Sequence, residues 1–77
     1  MTVYCGIDLH ANNSVVSVID DSGKVVFSKR YRNDLDRILE GLDPFASELD
    51  SIVIESTYNW YWLVDGLMDH GFDVRLC

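Results

Sequence analysis

The sequence is poor in residues that staple, kink or anchor a chain. It has one proline, Pro44, and two cysteines, Cys5 and Cys77. Two thiols exclude a multi-bridge disulfide framework and a four-cysteine zinc site. The start, Met-Thr-Val-Tyr, lacks the basic n-region of a secretory leader, so the cysteines fit a reducing, cytoplasmic interior. No apolar run reaches the roughly 18 residues of a membrane span, and no membrane partner is expected. Basic residues are scarce: six Lys and Arg stand against thirteen Asp and Glu, a net charge of -7. That balance argues against a broad basic face as the main means of holding nucleic acid. A length of 77 residues leaves room for one small domain. A hydrophobic fraction of 48% is too high for a disordered chain.

The charge that is present is unevenly placed. Residues 1–33 hold four basic and three acidic residues, whereas residues 34–77 hold two basic and ten acidic ones. The basic group runs from Lys24 to Arg32. Thr2–Leu9, Ser14–Asp20 and Lys24–Tyr31 are short runs rich in Val, Ile, Tyr and Phe, separated by turn residues. They read as a three-strand antiparallel meander. Asp20-Asp21-Ser22-Gly23 is the second turn, with Gly23 able to take a positive φ.

The apolar period then lengthens. Leu35, Ile38, Leu39 and Leu42 form the stripe of an amphipathic helix, capped by Asn33 or Asp34. Asp43-Pro44 starts a further short turn that runs to about Leu49. Asp50–Glu55 reads as a central strand buried on both faces. Trp60, Leu63, Val64, Leu67 and Met68 form a second helical stripe ending at His70-Gly71, and Phe72–Leu76 is a last strand. The order βββαβαβ predicts a mixed five-stranded α/β sheet of order 3-2-1-4-5. The right-handed crossover rule then puts both helices on one face. The other face has nothing in this chain to cover it, which predicts a truncated domain or one that associates with a second copy.

In that sheet Asp8 and Glu55 fall side by side at the C-terminal ends of neighbouring parallel strands, the edge where sites form in open α/β sheets. Two close carboxylates repel unless a cation lies between them. Their hard oxygen ligands suit Mg²⁺ or Mn²⁺; the plainer alternative is a pair of solvated strand-end acids.

Gly6-Ile7-Asp8-Leu9-His10, the strand Ser14–Asp20, Ile54-Glu55-Ser56-Thr57 and Asn59-Trp60-Tyr61-Trp62-Leu63 together resemble the start of a bacterial transposase. The family is the insertion-sequence "one-ten" group of bridge-RNA-guided recombinases. The resemblance spans essentially the whole chain. It implies the N-terminal part of a RuvC-like, ribonuclease-H-like domain with a DEDD acidic tetrad, here over residues 1–77. By this resemblance Asp8 is the first acid and Glu55 the second, both catalytic and metal-binding. The other two acids and a C-terminal serine domain are expected beyond the matching region, so this stretch alone is expected to be inactive. The resemblance further implies DNA and a guide RNA as partners, a homo-oligomer, and two-metal phosphodiester chemistry in the complete protein. The family often carries Gly where Tyr58 stands and a basic residue where Ala11 stands.

Ser56, Thr57 and Asn59 follow Glu55 and have two readings, phosphate contacts at a helix start or ordinary helix caps. Tyr61 and Trp62 fall off the apolar stripe and are candidates to meet nucleic acid or a partner chain. His10 has a possible metal or proton-transfer role, against that of a solvated turn histidine. Lys29, Arg30 and Arg32 either contact a phosphate backbone or guard an edge strand. Two further readings compete: a sugar-kinase or actin-like ATPase half, and a non-catalytic dimerisation module. The first of these expects a glycine-rich phosphate turn after strand one, and His10-Ala11-Asn12-Asn13 has no glycine.

Overall fold

A computed structural model describes residues 1–56 and 58–77. Five strands, Val3–Leu9 (β1), Asn13–Asp20 (β2), Val25–Arg32 (β3), Leu49–Glu55 (β4) and Val74–Leu76 (β5), alternate with two helices, Leu35–Leu42 (α1) and Tyr61–Asp69 (α2). The strands form one sheet in the order β3-β2-β1-β4-β5. β1–β2 and β2–β3 are antiparallel, and β1–β4 and β4–β5 are parallel. The expected order and strand directions are all present.

The meander forms because each turn is locally specified. In the β2–β3 turn, Asp20 Oδ1 accepts hydrogen bonds from the Ser22 and Lys24 backbone N–H groups and the Ser22 hydroxyl, at 3.0, 2.9 and 2.6 Å. Gly23 completes that turn at φ +86°, a region open to glycine without steric cost. These bonds hold the Asp20 carboxyl below its ordinary value, chiefly through the Ser22 hydroxyl and then the Lys24 N–H.

Of the two possible caps of α1, Asp34 is the one used. Its backbone is extended and its carboxylate accepts from the Asp36 and Arg37 N–H groups. Pro44 sits in a single 3-10 turn, Asp43–Phe45. That turn is shorter than the sequence suggests, because Leu49 already begins β4. Helix α2 ends at Gly71, φ +86°. There the Phe72 N–H bonds to the Leu67 carbonyl and the Gly71 N–H to the Met68 carbonyl, at 3.2 and 2.9 Å, the paired closure of a Schellman motif.

Both helices pack on the same face. Val3, Cys5, Ile7 and Leu9 of β1 point into that layer with Val16, Val18, Ile52 and Ile54, against Ile38 and Leu42 of α1 and Leu63 and Leu67 of α2. The helices meet where Leu35 of α1 lies over Gly66 of α2, in the space a Cβ would fill. Burial raises the Cys5 thiol to about 12.

The opposite face is bare. Strand β4 alternates, with Ile52 and Ile54 buried but Val53 39% exposed, so the expectation of burial on both faces is not met in this chain. An apolar run distinguishes a doubly covered strand only when the second cover is present. Met68 also departs from its predicted place. It is 52% exposed, and the buried side of α2 is Leu63, Gly66 and Leu67. The glycine widens the apolar stripe toward α1, which hydrophobicity alone does not register. No helix among the described residues is long and apolar enough to cross a membrane.

Candidate functional site

The parallel register of β1 with β4 pairs Asp8 with Glu55, Ile7 with Ile54 and Gly6 with Val53. Neighbouring strands lie about 4.8 Å apart and residues opposite one another share a face. Since Ile7 and Ile54 turn inward, Asp8 and Glu55 turn outward together on the bare face. Both line a shallow hollow of about 360 Å³ with Gly6, Val15, Ser17 and Val53. A Cβ built on Gly6 meets nothing within 4 Å. The glycine is therefore not demanded by packing within the chain; its effect is to keep the floor of this hollow low beside the two carboxylates.

Both carboxylates also line a second hollow at the strand ends, with Leu9, His10, Ser56, Tyr58 and Cys77. A third, of about 410 Å³, continues from it along His10 and Tyr58 to Ala11, Asn33, Asn59 and Trp62. The second shares Asp8 and Glu55 with the first and His10 and Tyr58 with the third, which makes one trough with the acidic pair between the sheet face and the start of α2.

His10 Nε2 donates to Asp8 Oδ2 at 3.0 Å. Its ring is thus engaged with the first carboxylate on a turn where the side chain stays 49% exposed. The β1–β2 turn that carries it is held from a distance. Asn33 Nδ2 donates to the His10 and Ala11 carbonyls at 2.9 and 3.2 Å, and Asn33 Oδ1 accepts from the fully buried Ser14 hydroxyl at 2.6 Å. This explains why Asn33 leaves the capping of α1 to Asp34. Sequence reasoning missed the staple because its partners lie 19 to 23 positions away, brought together only by the β2–β3 pairing.

The loop after Glu55 is built from local hydrogen bonds. Ser56 Oγ accepts from the Tyr58 N–H at 2.9 Å and donates to the Tyr58 carbonyl at 3.3 Å. Asn59 Oδ1 accepts from the Tyr61 N–H at 3.2 Å, supplying the cap that Trp60 lacks. Trp62 Nε1 donates to the Asn59 carbonyl at 3.0 Å. Tyr61 lines none of the three hollows; its ring stacks on Trp60 at 4.2 Å and stays 63% exposed. Thr57 lies outside the described residues. No non-glycine among the described residues has a positive φ, so Tyr58 fits here without the conformation that glycine would favour.

The donor set suits a hard divalent cation in part. Two outward carboxylates on one edge offer oxygen ligands of the kind Mg²⁺ prefers. Among the described residues no three His, Cys, Asp or Glu converge into a complete metal site. Asp8 and Glu55 offer two carboxylates, fewer side chains than a complete site would need. No Lys or Arg lines any of the three hollows; Lys29, Arg30 and Arg32 are on β3, where Arg30 bonds Asn13 Oδ1 at 2.8 Å, while Arg37 is on α1 and Arg75 on β5.

A family model described as a transposase, of the DEDD type in the one-ten insertion-sequence group, matches residues 5–77. No curated protein matches the chain in sequence. Among solved structures, RuvC of T. thermophilus in complex with a Holliday junction superposes with a TM-score of 0.78 at 13% identity, over 100% of this chain and 64% of that one. Marinitoga piezophila Argonaute, in complex with a 5′ OH guide RNA, gives 0.60 at 14% identity, over 97% and 16%. The Aquifex aeolicus Ppx/GppA phosphatase gives 0.54 at 11%, over 100% and 36%. The chain thus spans under two thirds of the length of each of these structures. At such identities the likeness is one of fold: the RuvC-like, ribonuclease-H-like sheet.

Proposed function

The chain belongs to this DEDD transposase family, and from that membership we propose that it supplies the first two acids, Asp8 and Glu55, of a metal-dependent RuvC-like site for DNA strand cleavage and transfer. The observation that carries the reading is the register pair Asp8–Glu55 on an open sheet edge. A bound Mg²⁺ or Mn²⁺ would neutralise charge on the scissile phosphate and lower the pKa of an attacking water. Asp8 and Glu55 would hold the ion from the sheet side. His10 would orient Asp8 through its 3.0 Å bond, leaving the second carboxylate oxygen for the ion. Ser56, Thr57, Asn59, Tyr61 and Trp62 would bind nucleic acid at the start of α2.

The complete protein, on this reading, extends past residue 77, adds two further acids, and acts on DNA with a guide RNA in the cytoplasm; residues 1–77 alone are inactive. The bare face supports self-association. Tyr4, Val15, Ile19 and Val53 alternate outward on β1, β2 and β4, and an apolar sheet face of this kind is normally covered. The glycine-free turn after β1 continues to disfavour the kinase-like reading.

The test is a Mn²⁺ titration followed by paramagnetic broadening of the Asp8 and Glu55 resonances. Weak binding confined to those two, abolished by Asp8→Asn or Glu55→Gln, is expected. Binding unaffected by both substitutions would reject the metal site.

A further inference from the structure

Resting on the nucleic-acid reading above, we infer that Tyr58 is the stacking platform for one unpaired nucleobase next to the carboxylate pair. Its position is the first argument. Tyr58 is the wall shared by the hollow that holds Asp8 and Glu55 and the hollow that runs on to Asn59 and Trp62. A strand with its phosphate at the carboxylates presents an adjacent base there.

The second argument is exposure on a pinned backbone. The Tyr58 side chain is 52% exposed, while Ser56 grips both its N–H and its carbonyl. An aromatic ring held this way has little backbone freedom left to lose on binding, and its apolar faces gain by being covered. Trp62 strengthens the point: its N–H is already used on the Asn59 carbonyl, so it offers a ring surface to the hollow.

The third argument is charge. No Lys or Arg lines either strand-end hollow, and residues 34–77 carry ten acids against two basic residues. A phosphate seated in the outer hollow would meet no counter-charge. A base approaches as an uncharged face, and stacking on aromatics tolerates any base. In a duplex that face is occupied by neighbouring bases, so the base must be unpaired or flipped out.

The experiment measures binding of the chain to a short single strand carrying one 2-aminopurine, in Ca²⁺, by quenching of the 2-aminopurine fluorescence. The same strand with an abasic position in its place competes unlabelled. Tyr58→Phe is expected to bind like the unaltered chain, and Tyr58→Ala and Tyr58→Leu roughly 5- to 150-fold more weakly. The abasic strand should lose as much with the unaltered chain and little more with Tyr58→Ala. Near-UV circular dichroism checks that each variant is folded. Binding that is lost on Asp8→Asn but unchanged by Tyr58→Ala overturns the stacking role and leaves the nucleic-acid reading standing. Absence of binding to every strand overturns both.

Discussion

Three side-chain features set how the chain responds to its medium. Asp20 keeps its carboxyl below the ordinary 3.8 through the Ser22 and Lys24 bonds. The unfolded chain protonates first as pH falls, so this contribution to stability is complete above that value and disappears as pH drops through the lower, folded one. Acid titration should loosen the β2–β3 turn, seen as faster exchange of the Lys24 amide, and Asp20→Asn should remove that pH dependence. The two thiols differ sharply: Cys77 is exposed, whereas Cys5 is buried with its ionisation pushed up to about 12. Reaction with a thiolate-seeking reagent at neutral pH should label Cys77 alone, with Cys5 labelled only on unfolding. Asn33 is the third. Asn33→Ala leaves the buried Ser14 hydroxyl without its acceptor and frees the His10 turn, a loss of about 1–3 kcal/mol measurable by urea denaturation. Asn33→Ala should also broaden the His10 ring resonances.

At the scale of elements, most of the architecture could be read from residue order. Alternation in β1 and β2, the 3.6-residue stripe of α1 and the glycines at positions 23 and 71 are local signals, and each agrees with its neighbours. The parallel β1–β4 pairing followed from chain topology, and with it the Asp8–Glu55 juxtaposition. What escaped was side-chain geometry: the His10–Asp8 bond, between residues two positions apart, and the non-local Asn33 staple and Gly66 seat for Leu35. The last two depend on which surfaces meet, and no short window of sequence contains both partners of either. Gly71 carries a simple prediction. A side chain at its positive φ costs about 1–2 kcal/mol, so Gly71→Ala should lower the unfolding free energy from urea denaturation by that amount while leaving the sheet intact by circular dichroism. Gly6 should do the reverse. It is mid-strand, nothing blocks a Cβ, and Gly6→Ala should stabilise by roughly 0.5–1 kcal/mol while raising the floor beneath the carboxylates.

For the whole molecule the decisive property is that one sheet face is covered and the other is not. A chain of 77 residues has a total stability of roughly 4–12 kcal/mol. Ile54→Ala, at a fully buried position in the core, should cost about 2–5 kcal/mol and bring the fold to its limit, as thermal denaturation will report. Sedimentation equilibrium at rising concentration should show self-association through the bare face, weakened by Val53→Lys; a strictly monomeric chain at high concentration would discount that face as an interface between copies. The two faces also separate two kinds of selection. Along β1 the odd positions, Val3 to Leu9, answer to the helices, and the even ones, Tyr4, Gly6 and Asp8, answer to whatever meets the open side. A saturation mutational scan would therefore split with a period of two. Abundance in the cell would track the odd positions and, on the proposed function, the activity of the complete protein would track the even ones, so that a single strand records the history of the fold and that of its use on alternate residues.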